Sequence, residues 1–315
     1  MSAMSDMMAT QPALLRELLA NGGPCEAAAE RIRGRRVLLV GTGTSWHAAN
    51  QGAWLLRAAG AEAWAVQAVD AADHGPRPGA GDALLLLSHR GTKRYTSTVL
   101  EAARAEGAET VVISGRGAPG ADIETSAPEQ SSAFTASHLG ALMRVAQIAV
   151  ALGADIGRLD HVPDAVAGVL AAGSPGVDPP ERLLEFVGAG PNQWTAAEGA
   201  LKVRETAYLA TEGLSVEQLL HGPSVALREG DALVALNGGG PGEGRLLEMA
   251  RLAETCGARV HTIAATYPSE LLSIFPLTTA VQRIALDCAE TLGTNPDTFG
   301  RDLPGRGDAL AAIEL

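Results

Sequence analysis

Short apolar runs alternate along the chain with longer segments of helical periodicity. The apolar runs cover residues 37–41, 63–69, 83–88 and 110–114 in the first half, and 184–188, 232–237 and 260–265 in the second. Apolar runs without polar alternation predict strands that are covered on both faces, which is typical of parallel sheets flanked by helices. The pattern therefore predicts an α/β fold with two doubly wound parallel sheets, each in a three-layer α/β/α arrangement.

The segments between these runs have helical spacing. The predicted helices cover residues 46–59, 94–106, 136–152, 195–209, 245–256 and 277–292. The predicted divisions of the chain are a helical lead-in at 1–34, with its helix at 10–33, a first α/β domain at 35–154, a linker at 155–182, a second α/β domain at 183–294 and a C-terminal tail at 295–315. Pro and Gly cluster near the end of the linker, while its middle, 162–172, is predicted to be helical.

The two halves of the chain resemble each other in sequence. Residues 37–56 resemble 184–203 at an offset of 147, with glycines in three matching places: Gly41, Gly43 and Gly52 against Gly188, Gly190 and Gly199. Residues 81–88 match 230–237, and 107–114 resemble 257–264. Three matches in the same order predict a tandem duplication of a unit of about 150 residues. Chance similarity between stretches rich in Ala and Gly is the alternative.

Composition and charge exclude several classes of protein. The 315 residues carry a formal net charge of −12, which disfavours nucleic acid as a partner. Three scattered cysteines do not make a disulfide framework or a zinc site, and we predict no metal and no cofactor. The N-terminal stretch lacks the features of a signal peptide, and no apolar run reaches 18 residues. We therefore expect a soluble, cytoplasmic protein that does not enter a membrane.

Two loops at predicted strand ends carry the groups of an anion site. They contain Gly43, Thr44 and Ser45 after the first strand, and Ser88, His89, Arg90, Thr92 and Lys93 after the third. Hydroxyls and backbone N–H groups at the start of a helix, with cations beside them, have the chemistry of a phosphate cradle. Ser132 and Thr135, which precede a predicted helix, add further hydroxyls. Capped helix starts without a ligand are the alternative.

The second half offers a different set of polar residues. Glu198, Lys202 and Glu205 share one face of a predicted helix, at spacings of four and three residues. A solvated stripe of salt bridges would have the same spacing. His221 stands before a Gly-Pro pair, on a constrained turn that presents its ring, although an ordinary loop histidine is equally compatible with the spacing.

These stretches resemble a known family. ALKVRETAY at 200–208 and EQLLHGP at 217–223 closely resemble the second sugar isomerase (SIS) domain in the isomerase half of glutamine–fructose-6-phosphate amidotransferases. VGTGTSWHAA at 40–49 and SHRGTK at 88–93 resemble the two phosphosugar-binding loops of that family, and 295–306 resembles its C-terminal tail. The resemblance covers about 35–315 and implies two tandem SIS domains, a homodimer and a bound sugar phosphate.

The resemblance also implies roles for individual residues. Ser45, Ser88, Arg90 and Thr92 fall on positions that contact the sugar phosphate and its hydroxyls. Glu205 falls on the glutamate that shuttles a proton between C1 and C2, with Lys202 beside it. His221 falls on the histidine that opens the sugar ring, which in the family reaches across from the partner subunit.

The sequence departs from the family in three places. No glutaminase domain precedes residue 35, so glutamine-dependent ammonia transfer by this chain is not expected. The tail at 304–315 lacks the family's Schiff-base lysine, which disfavours imine chemistry there. Lys93 stands where the family has Thr, and together with His89 and Arg90 it favours a more acidic sugar phosphate.

The sequence therefore predicts an aldose–ketose isomerase that acts on a sugar phosphate or an amino-sugar phosphate. The alternatives are a non-catalytic sugar-phosphate sensor and a deglycase of phosphorylated Amadori compounds. A nicotinamide dehydrogenase is disfavoured, because Trp46 occupies the place of the third glycine in the dinucleotide fingerprint.

Overall fold

The computed structural model of the chain describes residues 2–265 and 269–313, which form two parallel sheets. The first sheet contains β1 (Arg36–Gly41), β2 (Ala63–Gln67), β3 (Asp82–Leu87), β4 (Glu109–Ser114) and β5 (Ile123–Glu124), in the order β2-β1-β3-β4-β5. The second contains β6 (Leu184–Gly188), β7 (Thr211–Ser215), β8 (Ala232–Asn237) and β9 (Arg259–Ala264), in the order β7-β6-β8-β9. Every neighbouring pair is parallel. The predicted α/β class with two parallel sheets is confirmed.

Helices account for most of the remaining described residues. They are α1 (Ala3–Ala20), α2 (Gly23–Ile32), α3 (Thr44–Ala58), α4 (Ala68–Asp73), α5 (Arg94–Ala105), α6 (Ala136–Leu152), α7 (Val162–Ala172), α8 (Asn192–Thr206), α9 (Val216–Leu220), α10 (Glu243–Thr255), α11 (Glu270–Leu292) and α12 (Arg306–Ala311). Short 3₁₀ turns lie at Leu159–His161 and Pro223–Ala226. The lead-in is two helices rather than the one predicted, because Gly22, Gly23 and Pro24 end α1 and start α2.

Helices cover both faces of the second sheet, which explains why its strands lack polar alternation. Leu184 and Phe186 of β6 pack into a cluster with residues of α8 and α11, while Val187 packs on the other side with residues of α9 and α10. Each face of the strand is therefore covered by helices, as its apolar sequence requires.

Glycines with the same spacing in both halves have the same structural role. A β-carbon on Gly41 would lie 2.4 Å from the carbonyl oxygen of Ser45, and one on Gly188 would lie 2.2 Å from that of Asn192. In each sheet the first turn of the following helix therefore packs directly against the strand end, at a distance that only glycine allows. The two halves thus share strand order over four strands and this close approach.

The described chain divides into two compact units. The first-sheet unit comprises Thr10–Glu129 and Ala136–Pro163, and the second-sheet unit comprises Gln130–Thr135 and Asp164–Ala312 together with the N-terminal residues up to Ala9. The division along the chain thus falls inside the segment 155–182. The sequence-based divisions put residues 1–9 in the helical lead-in and residues 130–135 in the first domain. The structure groups both segments with the second sheet.

Within residues 2–265 and 269–313, one helix meets the length and hydropathy of a membrane span. It is α11, which is longer than the predicted helix at 277–292 and starts at Glu270, with Pro276 inside it. Of its most apolar 18-residue window, 83% is buried within the protein. Its apolar character is therefore accounted for by packing in the core of the second-sheet unit.

Candidate functional site

The first sheet reverses its strand order at β1, which pairs with β2 on one side and β3 on the other. The carboxyl ends of β1 and β3 are therefore the switch point at which such sheets bind ligands. After β1, Gly43 has a φ of +57°, a conformation that residues with side chains rarely adopt. Thr44 and Ser45 follow it in the first turn of α3 and are half-buried. In that first turn the backbone N–H of Ser45 donates to the carbonyl of Thr42 at 3.2 Å, and those of Trp46 and His47 donate to the carbonyl of Gly43.

The loop after β3 forms a tight turn. The backbone N–H of Gly91 donates to the carbonyl of Ser88 at 3.1 Å, and the φ of +68° at Gly91 permits this turn. Ser88 itself is buried, whereas Arg90 and Thr92 are exposed. Lys93 caps the start of α5 in an extended conformation. The turn thus presents two cations and a hydroxyl at the strand end, as the sequence predicts.

His89 does not contribute positive charge to this loop. Its Nε2 atom accepts a hydrogen bond from the backbone N–H of Glu129 at 3.2 Å. Burial, with a smaller effect of the Arg90 charge, lowers the pKa of His89 to about 4. The ring is therefore neutral near pH 7, and its hydrogen bond holds the loop in place. The expectation that His89 adds positive charge to an anion site is thereby corrected. The cations of the loop are Arg90 and Lys93.

Ser132 and Thr135 belong to the second-sheet unit, whereas the loops after β1 and β3 belong to the first-sheet unit. The backbone N–H of Ser132 donates to the carbonyl of Asp297 at 3.1 Å. Thr135 is fully buried, and its carbonyl accepts from the side chain of Gln282 at 3.4 Å. The segment is fixed by contacts within its own unit, which sequence spacing cannot show. The prediction that Ser132 and Thr135 add hydroxyls to the anion site stays a prediction.

Glu198, Lys202 and Glu205 form a buried ionic cluster on α8. The Nζ atom of Lys202 lies 3.6 Å from Glu198 and contacts Oε2 of Glu205 directly. The side chains of Glu198 and Lys202 are buried, and that of Glu205 is 12% exposed. A solvated stripe of salt bridges is therefore excluded. Removing charges from water costs several kcal/mol per ion, so a buried cluster of this kind indicates a functional role more often than a stabilising one.

His221 lies at the end of α9, and its side chain is 76% exposed. Its Nε2 atom lies 3.1 Å from a carboxylate oxygen of Glu217, which also contacts Arg245. Gly222, with a φ of +146°, and Pro223 then turn the chain, and Val225 is 91% exposed. The turn therefore leaves the ring of His221 exposed, close in the chain to the exposed apolar side chain of Val225.

The strand ends of the second sheet hold a carboxyl group that the sequence analysis missed. A β-carbon added to Gly240, after β8, would lie 2.0 Å from Cδ of Glu270, and one on Gly190, after β6, would lie 3.1 Å from its Oε1. Burial raises the pKa of Glu270. The glycines make room for this side chain, where the first sheet has hydroxyls and cations. No local motif marks Glu270, because it begins a helix whose start the sequence pattern placed at residue 277.

A second missed group is Glu185, in the middle of the second sheet. It is 2% exposed, and within the described part of the chain its Oε1 atom has no hydrogen-bond partner. Burial raises the pKa of Glu185 to about 7, helped by the negative charges of Glu212 on β7 and Asp231 before β8. Asp231 is itself paired with Arg182. A carboxyl buried in this way is stable only while it is protonated.

We expect Glu185 to contribute a fall in stability as pH rises from about 4.5 to about 7, opposed by His89, whose lowered pKa makes the same rise in pH stabilising. In this window the folded state keeps a proton on Glu185 that the unfolded state has lost, so the slope of the Glu185 contribution is negative, up to about 1.4 kcal/mol per pH unit. Above about pH 7 this contribution levels off. Urea unfolding of the wild type and of Glu185→Gln at several pH values measures the difference. Equal slopes in both proteins contradict the assignment, and Glu212→Gln should move the upper end of the window to lower pH.

Comparisons with known proteins agree with the geometry of the first-sheet unit. Residues 32–151 match the SIS domain family. Glutamine–fructose-6-phosphate aminotransferase [isomerizing] of Pyrococcus horikoshii is 26% identical over 305 residues, which cover 83% of this chain and 50% of that protein. The enzyme of the same name from Thermococcus kodakarensis is 32% identical over 131 residues, which cover 37% of this chain and 22% of that protein. The chain thus spans at most about half the length of these relatives.

Solved structures share the fold over most of the chain. The C-terminal domain of glucosamine-fructose-6-phosphate aminotransferase from Francisella tularensis has a TM-score of 0.81 at 17% identity, covering 94% of this chain and 97% of that one. Tagatose-6-phosphate ketose/aldose isomerase from Escherichia coli has a TM-score of 0.79 at 19% identity, covering 95% of each. Residues 32–151 thus match the SIS domain family, and the chain shares its fold with these two solved structures.

Proposed function

We propose that this chain binds a sugar phosphate and catalyses aldose–ketose isomerisation by moving a proton between C1 and C2 of the sugar. The observation that carries the proposal is the α8 cluster, in which a slightly exposed carboxylate, Glu205, is held by a buried lysine. The names of the relatives and of the solved neighbours support it, since they include isomerising aminotransferases and a ketose/aldose isomerase. The matching stretch ALKVRETAY surrounds the same glutamate.

The chemistry requires one base that removes a proton next to a carbonyl and returns it one carbon away. In the proposal Glu205 takes the proton from C2 of the aldose, leaving an enediolate with its charge on O1. A proton then passes from O2 to O1, and Glu205 returns its proton to C1, which yields the ketose. Lys202 is a positioning residue: its contact with Oε2 fixes the carboxylate and balances its charge. His221 is proposed to open the sugar ring, because imidazole exchanges protons near neutral pH.

Phosphate binding is assigned to the first-sheet unit. Thr44 and Ser45 at the start of α3, and Ser88, Arg90, Thr92 and Lys93 after β3, supply donors and positive charge at the switch point. An anchored phosphate fixes the sugar and so lowers the entropic cost of the reaction. The departure at Lys93 favours a substrate with additional negative charge or an altered phosphate position. The reaction on an amino-sugar phosphate is included in the proposal.

We expect Arg90→Gln combined with Lys93→Gln to weaken sugar-phosphate binding by about 10- to 100-fold, because each charge-assisted hydrogen bond contributes about 1.5–3 kcal/mol, reduced by exposure to water. Equilibrium binding of a hexose 6-phosphate measures the loss. Arg104→Gln is the matched control, since it removes a charge from the exposed far end of the same helix. Unchanged binding in the double variant, or an equal loss in the control, contradicts the placement of the phosphate.

The proposal also covers the second-sheet unit and the oligomeric state. The second-sheet unit is proposed to be a second SIS domain, supported by the shared strand order and the matching glycine positions. The chain is proposed to form a homodimer in which His221 serves the partner's site. The exposure of the His221 ring and of Val225 supports this, because a protruding turn with an apolar tip is suited to an interface.

A sensor that binds sugar phosphate without turnover is the second candidate. The contact of His221 with Glu217 favours this candidate, because it holds the proposed ring-opening group against a residue of its own chain. A thermal-shift screen against a panel of sugar phosphates identifies the ligand, with shifts of a few degrees expected at saturating concentrations. Turnover of the best ligand separates the enzyme from the sensor, and release of free amine from phosphorylated Amadori compounds would identify a deglycase.

A further inference from the structure

The first-sheet unit has a cavity of about 130 Å³ at the amino ends of its strands, away from the groups described so far. Its lining combines the start of β1, the start of β3, the exposed Trp64 of β2 and a loop with two prolines. The lining residues are Arg36, Val37, Leu38, Glu62, Trp64, Pro76, Arg77, Pro78 and Asp82. The loop after β3 lies at the opposite end of these strands, about 16 Å away along a six-residue strand. The cavity is therefore separate from the proposed phosphate site.

Trp64 is held in a fixed position although its side chain is exposed. The guanidinium of Arg57 lies over its ring at 4.8 Å and over the ring of Trp54 at 5.9 Å. The Nε atom of Arg57 donates to the carbonyl of Ala63 at 2.7 Å, which keeps the guanidinium in place. Trp64 nevertheless remains 56% exposed. A large aromatic surface that is both rigid and accessible is uncommon in a chain with 3% aromatic residues, and such a surface binds flat rings with little loss of conformational entropy.

The size and the charges of the cavity narrow the choice of ligand. Sites for whole drug-sized ligands are about 300–1,000 Å³, so a cavity of about 130 Å³ holds one ring system with the rest of the ligand outside. Arg36 is neutralised by Asp82 at 2.8 Å. The remaining charges of the lining are one cation, Arg77, and one anion, Glu62, so that the lining as a whole is neutral. The cavity therefore favours a ligand that carries both an anionic group and an amino group.

We propose that this cavity binds a purine nucleotide, with the adenine ring stacked on Trp64, its exocyclic amino group at Glu62 and its phosphate at Arg77. Stacking explains the exposed tryptophan, since bases stack on aromatic side chains in sites for single nucleotides and single strands. The carboxylate of Glu62 accepts hydrogen bonds from an amino group, and Arg77 pairs with phosphate. The proposal does not depend on the isomerase assignment, because none of these residues belongs to the proposed catalytic or phosphate-binding set.

Isothermal titration of the full chain with adenosine 5′-monophosphate tests the proposal. We expect saturable binding of one nucleotide per chain, with Trp64→Ala weakening it by about 5- to 150-fold, the range for loss of one stacking contact. Trp64→Phe should recover part of the affinity. Arg77→Gln should weaken the nucleotide but leave adenosine unchanged. Because Trp64 and Arg77 are exposed, these variants should fold, which circular dichroism and thermal melting verify.

Controls separate this site from the sugar-phosphate site. Lys93→Gln should leave nucleotide affinity unchanged, and ribose 5-phosphate should not compete with the nucleotide. Absence of saturable binding up to about 1 mM nucleotide overturns the proposal. Binding that Trp64→Ala leaves unchanged, or that Lys93→Gln abolishes, also overturns it, since the nucleotide would then be held elsewhere. A hexose 6-phosphate titrated into the same variants reports on the proposed function independently.

Discussion

Glu205→Gln is expected to reduce isomerisation by about 10²–10⁴-fold or more while sugar-phosphate affinity stays within about twofold of the wild type. Glutamine keeps the shape of the side chain, but its amide neither removes a proton from carbon nor returns one. The phosphate is assigned to the loops of the first-sheet unit, so its binding energy should be retained. A coupled assay of aldose–ketose conversion and a binding titration measure the two effects separately.

The variant should also fold. The wild-type cluster contains two carboxylates and one ammonium, so that neutralising Glu205 leaves Glu198 and Lys202 as a balanced buried pair. Glu254→Gln is the matched control, because it removes an exposed carboxylate from α10 of the same unit. Substantial activity in Glu205→Gln, or an equal loss in the control, contradicts the role of Glu205 as the proton shuttle.

Mixing two inactive variants is expected to restore activity. If His221 serves the partner's site, a heterodimer of Glu205→Gln and His221→Asn contains one site with both groups intact. Random pairing then gives about a quarter of the wild-type activity per chain, since about half of the dimers are heterodimers. Co-expression of the two variants with different affinity tags, followed by the same assay, measures the recovery.

The arrangement of His221 on the chain makes this experiment decisive. The ring is exposed and contacts Glu217 on its own helix. If His221 acted on the site of its own chain, the mixture would show no recovery, because each chain would lack one essential group. Mixing Glu205→Gln with itself controls for residual activity. Recovery in that control contradicts the assignment of Glu205, whereas no recovery in the mixture contradicts the proposed exchange of histidines.

The sequence pattern predicted the central strands and the edge strands β2 and β9, and it missed the edge strands β5 and β7. The runs at 37–41, 83–88 and 184–188 are central strands whose apolar residues face helices on both sides. The edge strand β7 was missed, because Thr211, Glu212 and Gly213 do not form an apolar run. Its glycine is nevertheless required, since a β-carbon there would lie 2.3 Å from the carbonyl oxygen of Ala196. Edge strands are half solvated, so hydropathy alone does not identify every one of them.

For the candidate site, too, the sequence predicted some features and missed others. The spacing of Glu198, Lys202 and Glu205 placed them on one face, but only the packing of α8 shows that this face is buried. The charge of His89 was misjudged because its state depends on burial and on a hydrogen bond from Glu129, forty residues away. Thr135, Glu185 and Glu270 depend on tertiary contacts for which no local pattern exists. Residue type and spacing therefore predicted which chemical groups the site contains, whereas burial determines which of these groups are charged.

Incorporation of deuterium from solvent into the sugar tests the central claim most directly. The wild-type protein is incubated with a hexose 6-phosphate that it binds, in D₂O, and carbon-bound deuterium is followed by NMR and mass spectrometry. Proton transfer through an enediolate predicts deuterium at C2 of the aldose and C1 of the ketose, absent in Glu205→Gln. Deuterium enters to the extent that the proton on Glu205 exchanges with solvent before it returns to carbon. Saturable binding by the wild type with neither carbon-bound deuterium nor interconversion of aldose and ketose would contradict the account and identify the chain as a sugar-phosphate sensor.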